Sequence, residues 1–206
     1  LAHLLASPEV LGSLGAEVVL SDRGGDATYH GPGQIVGYLI LSLRQRDIDA
    51  HRFVRGVEEI VLRALAGWGI VGERIAGLPG IWVGLRKIAA IGIRVSRGVS
   101  YHGFALNVNT DLSYFKHIVP CGIQGRGVTS MACELGQAVP LGAVRQALAA
   151  ACAAVFEVPI RQPAPAELAR LQELGLVPHW LLTSAGADGY SVEAASVPGE
   201  HRVPQG

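Results

Sequence analysis

The residue best suited to covalent chemistry is Cys121, which lies in the turn-like sequence VPCGI at positions 119–123. A turn can hold a thiol away from the backbone, where the thiolate can act as a nucleophile. A small buried hydrophobe is the alternative interpretation, because free cysteine is among the most buried residue types. We expect that second role for Cys133 and for Cys152, which lies on the apolar face of a predicted helix.

Lys87 is the most suggestive cation, since a nucleophilic cysteine needs a neighbouring cation or a histidine base to stabilise its thiolate. It opens the otherwise apolar segment KIAAIGIRV at 87–95. A lysine in such a strand must reach solvent or meet a partner. An ordinary lysine at the end of a strand is the alternative.

The triplet Tyr-His-Gly occurs twice, at 29–31 and 101–103, so His30 and His102 could line one pocket. Together with Cys121 they could instead bind zinc, but no pair shows the short spacing of typical zinc ligands. We therefore expect no metal. A core or hydrogen-bonding role for His102 remains an alternative.

A glycine-rich loop, RGGDATYHGPGQ at 23–34, contains four glycines and a proline, so its role must depend on backbone shape and exposed side chains. The amides of Arg23-Gly24-Gly25 could cradle a phosphate. The loop lacks both the Walker spacing and the GxGxxG pattern, so a nucleotide site is poorly supported.

The elements around these residues favour an α+β (mixed α/β) domain, in which a mixed β-sheet is flanked by helices. A helix is predicted from Phe53 to Trp68 by apolar spacing of three and four residues after Asp47 and Asp49, and another follows Pro140. The segments 16–20 and 37–43 are predicted to be buried strands, and 80–85, 87–95 and 99–108 to be adjacent strands.

The composition bounds the class of protein. The chain has 206 residues, of which 50% are hydrophobic and 17% charged, with a formal net charge of zero, so no broad field attracts nucleic acid or anionic lipid. Every hydrophobic stretch is interrupted before it could span a bilayer. Three cysteines with no close pair fit a reducing cytosol, and we expect a cytoplasmic protein. We expect one catalytic domain over 1–182 and a flexible tail over 183–206.

Four motifs in order resemble the bacterial octanoyltransferases of lipoate biosynthesis, the lipoate-protein ligase B family. They are RGGDATYHGPGQ at 23–34, KIAAIG at 87–92, HGFALN at 102–107 and PCG at 120–122. The resemblance covers the chain to about Val158 and implies the fold of the biotin and lipoate ligase catalytic domains. It also places Leu1 well inside the usual family sequence, so we expect an opening helix and strands of the family domain to be missing.

The resemblance implies a Cys/Lys dyad, with Cys121 as the acyl-thioester nucleophile and Lys87 lowering the pKa of its thiol. Backbone amides of 103–105 or near Cys121 could bind the oxyanion. The stretches that contact substrate in the family correspond to Arg23, Gly24, Gly25, Asp26, Ala27, Thr28, Tyr29 and His30, to Ala90, Ile91 and Gly92, and to Gly103, Phe104 and Ala105.

The family's activity implies two protein partners and no cofactor. The donor is octanoyl-acyl carrier protein, and the acceptors are lipoyl domains of 2-oxoacid dehydrogenase complexes and the glycine cleavage H protein. Arg44, Arg46, Arg52 and Arg55 are candidates for docking an acidic carrier, or are ordinary surface charges. The alternatives to the transferase are an ATP-dependent lipoate or biotin ligase on the same fold and a non-catalytic module that binds carrier proteins or lipoyl domains.

Overall fold

The computed structural model describes residues 5–25, 27–118, 126–161, 164–173 and 190–195. Its main feature is a large sheet of six strands: β3 (Gln34–Tyr38), β4 (Glu73–Ile75), β5 (Leu78–Val83), β6 (Arg86–Ser96), β7 (Val99–Asn107) and β8 (Gly127–Val128). The strand order is β3-β7-β6-β5-β4, and every neighbouring pair in it is antiparallel. The short β8 pairs parallel to β6.

One face of this sheet is covered by α2 (Ala50–Ala66) and α4 (Leu141–Phe156). Helix α2 begins where Asp49 accepts a hydrogen bond from the backbone amide of Arg52 at 2.7 Å, which satisfies a free amide of the first turn. Its apolar stripe is buried against Phe104, Leu106 and other side chains on this face of the sheet. Each Å² of apolar surface removed from water stabilises the folded state by about 25 cal/mol, so this layer is the main source of stability.

A second, three-stranded sheet has the order β1-β9-β2 and comprises β1 (Ala16–Ser21), β2 (Thr28–His30) and β9 (Tyr190–Ala195). With α1 (Pro8–Ser13) and the 3₁₀ helix Leu112–His117 it encloses a smaller core around Leu11, Tyr29 and Phe115. Two short helices, α3 (Met131–Leu135) and α5 (Pro165–Glu173), and the 3₁₀ helix Arg44–Arg46 complete the described elements. Across the described ranges, no helix combines the length and apolar character needed to cross a membrane.

The α+β prediction is confirmed, and so are both long helices and the three adjacent strands. The prediction of a buried strand over 37–43 was wrong in its bounds, because β3 ends at Tyr38 and Ile40 is 65% exposed. Strand β1 was expected to be buried, yet only Ala16 of its residues is fully buried. The domain boundary at 182 stays a prediction. Residues 190–195 of the expected tail form β9, and the rest of 183–206 lies outside the described residues.

Candidate active site

Lys87, the second residue of β6, lies at one end of the candidate site. A register shift between Ile81 and Trp82 on β5 marks the point where β6 pairs Lys87 with Trp82. The Lys87 side chain is buried, with the residue 5% exposed, and its Nζ lies 4.9 Å from the centroid of the Trp82 ring. Among the described residues this amine has no hydrogen-bond partner. An unpartnered buried ammonium is costly, so the site is built for an anionic or polar group that completes it.

Arg126 brings a second cationic group to the same ring. Its guanidinium carbon lies 5.5 Å from the Trp82 centroid, and its buried Nη1 makes no hydrogen bond within the described part of the chain. Arg126 leads into β8, where Val128 pairs with Lys87 and the amide of Thr129 donates to the Lys87 carbonyl at 2.9 Å. The segment that follows 119–125 is therefore anchored beside Lys87. Cys121 lies outside the described residues.

A cavity extends from this point along the face of the large sheet that is turned away from α2. The part next to Lys87 is lined by Thr28, Gln34, Lys87, Ala90, Ala105, Asn107, Phe115 and Val128. Its continuation shares Thr28, Ala90 and Ala105 and is otherwise lined by Arg23, Gly25, His30, Val36, Tyr38, Pro79, Ile91, Gly92, His102, Gly103 and Phe104. The channel has a polar end at Lys87 and small apolar side chains along its middle.

The structure brings most of the expected substrate-contacting residues to this channel, from all three stretches of the chain. Ala27 and Tyr29 instead lie in the smaller core, where the Tyr29 ring stacks on Tyr114 at 5.0 Å between centroids. Gly24 packs against the backbone of Ile93, and Asp26 lies outside the described residues. These placements are geometric, and the roles of the residues stay a prediction.

Gly24 and Gly92 allow the glycine-rich loop to lie directly on β6. The amide of Gly24 donates to the carbonyl of Ile93 at 3.3 Å. A Cβ on Gly92 would come within 2.7 Å of the Gly24 carbonyl oxygen, so this close approach requires glycine. Since the Gly24 amide is already used, it is not available to a phosphate.

A chain of hydrogen bonds organises the polar end. The amide nitrogen of Gln34 donates to the Tyr29 carbonyl at 3.1 Å and to Asn107 Oδ1 at 2.9 Å. The amide oxygen of Gln34 therefore faces His30, and accepts from His30 Nδ1 at 2.7 Å. Asn107 Nδ2 donates in turn to the carbonyl of Thr129 at 3.0 Å. His30 is thus connected to the segment that pairs with Lys87.

Sequence reasoning missed Gln34 and Asn107 as site residues, although both end motifs that were singled out. They are polar residues at strand ends, and β3 and β7 pair them directly. The expected oxyanion role of the 103–105 amides is not supported, because β7 is flanked by β3 and β6 and its amides serve the two ladders.

At the far end of the channel, His102 contacts Asp22. His102 Nε2 lies 2.8 Å from Asp22 Oδ1, and Arg94 Nη1 donates to Asp22 Oδ2 at 2.7 Å. The hydrogen bond with His102 is the largest cause that lowers the pKa of Asp22 below its ordinary value, and the charge of Arg94 adds to it. The edge of the Tyr38 ring faces His102 at 6.0 Å between centroids.

The two described cysteines lie outside the channel. Cys152 is half-buried on α4 against the core, as predicted, and burial raises the pKa of its thiol. Cys133 is exposed, so its prediction as a buried hydrophobe was wrong. The N-terminal turn of α3 holds Cys133 at the surface, where its amide donates to the side chain of Ser130. Within the described ranges no three His, Cys, Asp or Glu side chains come together as a possible metal site.

The arrangement suits a substrate with an apolar chain and a polar carbonyl end. Small residues leave room for the chain, while the buried cations near Trp82 can stabilise negative charge on a nucleophile or on a tetrahedral intermediate. A buried cation acts more strongly than one at a surface, because the effective dielectric constant around it is lower.

Comparison with known sequences gives one family and many close relatives. Residues 2–153 match the family described as the lipoyl protein ligase A/B catalytic domain. The chain is 54% identical over 159 residues to an octanoyltransferase of Chloroflexus aggregans, covering 76% of this chain and 72% of the relative. It is 57% identical over 157 residues to an octanoyltransferase of Chloroflexus aurantiacus, covering 75% and 70%.

Solved structures share the fold at low sequence identity. A lipoate-protein ligase A with bound ATP superposes with a TM-score of 0.66 at 20% identity, covering 84% of this chain and 72% of the other. A bipartite lipoate protein ligase from Thermoplasma acidophilum gives a TM-score of 0.63 at 20% identity, covering 82% and 69%. These two structures establish the architecture.

Proposed function

Because the chain belongs to the lipoyl protein ligase A/B catalytic domain family, we propose that it moves an octanoyl group from acyl carrier protein to a lipoyl-domain lysine through a thioester on Cys121. The chain is an octanoyltransferase, an acyltransferase of lipoate biosynthesis, and that activity uses an acyl donor and a lipoyl-domain acceptor. The dyad, the thioester and the particular partners are what we add.

The observation that carries the proposal is the buried, unpartnered amine of Lys87 at the polar end of an apolar channel. A buried ammonium favours an anion beside it, and a cysteine thiolate is the anion that covalent acyl transfer needs. Cys121 precedes Arg126 by five residues, so covalent geometry keeps it within about 17 Å of a residue that contacts the same Trp82 ring as Lys87.

In the first half-reaction the Cys121 thiolate attacks the thioester carbonyl of the donor. The tetrahedral intermediate collapses with loss of the carrier's pantetheine sulfur, which leaves as a thiol after taking a proton from the Lys87 ammonium. One thioester is exchanged for another, so the step is close to thermoneutral. The octanoyl chain occupies the channel while the carrier departs.

In the second half-reaction the amine of the acceptor lysine attacks the acyl-enzyme carbonyl. Neutral Lys87 accepts a proton from the attacking amine, an amide bond forms, and the Cys121 thiolate leaves. An amide is more stable than a thioester, so the transfer runs downhill without ATP. Use of the Gly24 amide by Ile93 agrees with an enzyme that does not cradle a nucleotide phosphate in this loop.

The partners we assign are octanoyl-acyl carrier protein as donor, with lipoyl domains of 2-oxoacid dehydrogenase complexes and the glycine cleavage H protein as acceptors. These partners place the reaction in the cytoplasm. Arg46, Arg52 and Arg55 line a groove beside α2 and α4, whereas the channel opens on the other face of the large sheet. The groove and the channel therefore lie on different faces, and we assign carrier docking to the face that carries the channel.

The test is the intact mass of the protein after incubation with octanoyl-acyl carrier protein and no acceptor. We expect one octanoyl adduct on the wild type and on Cys133→Ala, whose exposed thiol is the matched control, and none on Cys121→Ala. Adding a lipoyl domain without ATP should discharge the adduct. An adduct that persists in folded Cys121→Ala, or transfer that needs ATP, would contradict the thioester mechanism and favour the ligase alternative.

A further inference from the structure

The channel runs parallel to the strands of the large sheet and therefore has a measurable length. Alternate residues of β7, namely Asn107, Ala105 and Gly103, face it, together with their direct partners Gln34, Val36 and Tyr38 on β3. Four residues of strand separate Asn107 from Gly103, which is about 13 Å. That distance accommodates an extended octanoyl chain whose carbonyl lies at the polar end.

The far end of the channel is lined by His102, whose side chain would point to the other face of the sheet in a regular strand. Regular alternation would place His102 on the same side as Phe104 and Leu106, under α2. His102 instead has a left-handed backbone with φ of 62°, which is uncommon for a residue other than glycine. Its ring lies in the channel wall and contacts Asp22 at 2.8 Å.

The contact with Asp22 holds the His102 ring in position. Asp22 lies between the end of β1 and the start of the glycine-rich loop. Arg94 on β6 donates a hydrogen bond to the second carboxylate oxygen of Asp22 at 2.7 Å. The loop is also held on β6 through the Gly24 amide. Tyr38, from β3, fills the adjoining corner against the His102 ring.

We propose that His102, held by Asp22 and packed with Tyr38, is the stop that limits the length of the acyl chain. The inference rests on the proposed function, since it assigns the specificity of the same channel. A chain that extends beyond Gly103 must displace the His102 ring, whereas a shorter one leaves apolar surface uncovered. Each buried methylene is worth a factor of about four in binding, so two extra methylenes correspond to roughly fifteenfold.

The test compares kcat/KM for hexanoyl-, octanoyl-, decanoyl- and dodecanoyl-acyl carrier protein. His102→Gly removes the ring at a position where glycine suits the backbone, and we expect the decanoyl to octanoyl ratio to rise by up to about fifteenfold. Arg97→Gly is the matched control, because Arg97 has φ of 52° but lies exposed in the β6–β7 turn. It should keep the wild-type ranking of chain lengths.

Two further substitutions keep the proposal testable if His102→Gly does not fold. Tyr38→Leu should also raise the decanoyl to octanoyl ratio, and Val36→Phe, which narrows the channel before the stop, should favour hexanoyl. An unchanged ranking in folded His102→Gly, or in the other two if it does not fold, would overturn the stop while leaving the transferase intact. Absence of octanoyl transfer by the wild type would instead refute the proposed function.

Discussion

Gln34 and Asn107 are 73 residues apart in sequence, yet the amide nitrogen of Gln34 donates to the side-chain oxygen of Asn107 at 2.9 Å. This bond joins β3 to β7 at the polar end of the channel, beside Lys87. Both residues continue the chain of hydrogen bonds from His30 to Thr129. The site is therefore held by side-chain amides as well as by the sheet.

Asn107→Leu should lower both stability and activity. The substitution leaves the Thr129 carbonyl without its side-chain donor and removes one of two acceptors from Gln34, which costs about 1–3 kcal/mol. We expect kcat per folded molecule to fall because the segment beside Lys87 loses an anchor. Steady-state kinetics and urea unfolding measure the two effects.

Asn109→Leu provides the control for Asn107. Asn109 also bridges two segments, through hydrogen bonds of 2.8 and 2.9 Å with the backbone of Val139, but it does not line the channel. It should lose a similar amount of stability and keep its kcat. Equal kcat values for the two folded variants would show that the Gln34–Asn107 pair is only structural.

Lys87→Met should inactivate the protein without unfolding it. Methionine fills a similar volume in this buried position, and the Cys121 thiol stays protonated once the ammonium proposed to stabilise its thiolate is removed. Loss of proton transfer and thiolate stabilisation should lower kcat by about 10² or more.

Lys116→Met is the matched control, because Lys116 is exposed and is the other lysine of the sequence. Calorimetry and transfer assays on both variants separate loss of activity from loss of folding. Retained activity would remove Lys87 from the mechanism.

Local patterns were enough to predict the elements whose signals lie within one segment. The cap at Asp49 and the three- and four-residue spacing after it identified α2, and the extended segments 87–95 and 99–108 identified β6 and β7. The motifs singled out in the sequence also contain most of the residues that line the channel. Each of these signals is short-range or belongs to a motif.

Features that depend on distant partners were not predictable from the sequence. Strand β3 begins at Gln34 rather than in the apolar run after it, because pairing with β7 and the bond to Asn107 select that register. The left-handed backbone of His102 likewise accompanies a contact with Asp22, 80 residues away. Strand β9 lies in a segment without periodicity and is defined by its neighbours β1 and β2.

Gly103→Ala should be strongly destabilising, because a Cβ at this position would overlap the carbonyl oxygen of Gly37 on β3. That oxygen belongs to the backbone of a paired strand and cannot move without breaking the ladder. We expect a loss of about 2–3 kcal/mol, measured by urea unfolding.

Gly142→Ala should have the opposite effect. Gly142 lies in the first turn of α4, and a Cβ there would meet no atom within 4 Å. Alanine has the higher helix propensity, so a gain of about 0.5–1 kcal/mol is expected. Similar stabilities for the two alanine variants would contradict the close approach of β7 to β3.

Asp22→Asn should destabilise the protein by an amount that depends on pH. The hydrogen bond with His102 and the charge of Arg94 lower the pKa of Asp22 below its ordinary value of 3.8 in the folded state. A carboxyl group with a depressed folded-state pKa stabilises the fold above its unfolded pKa, and this contribution is lost as the pH falls through the folded value. The wild type should therefore exceed the variant in Tm at pH 5 and above, and the two should converge below pH 3.8. Asp22 is about half exposed, so the difference should stay below about 1 kcal/mol.

Glu17→Gln, which removes an exposed carboxylate from β1, is the control and should leave the Tm unchanged. A difference between wild type and Asp22→Asn that stayed constant as the pH fell from 5 to well below 3.8 would show that shape, and not the charge of Asp22, holds His102 in the channel wall.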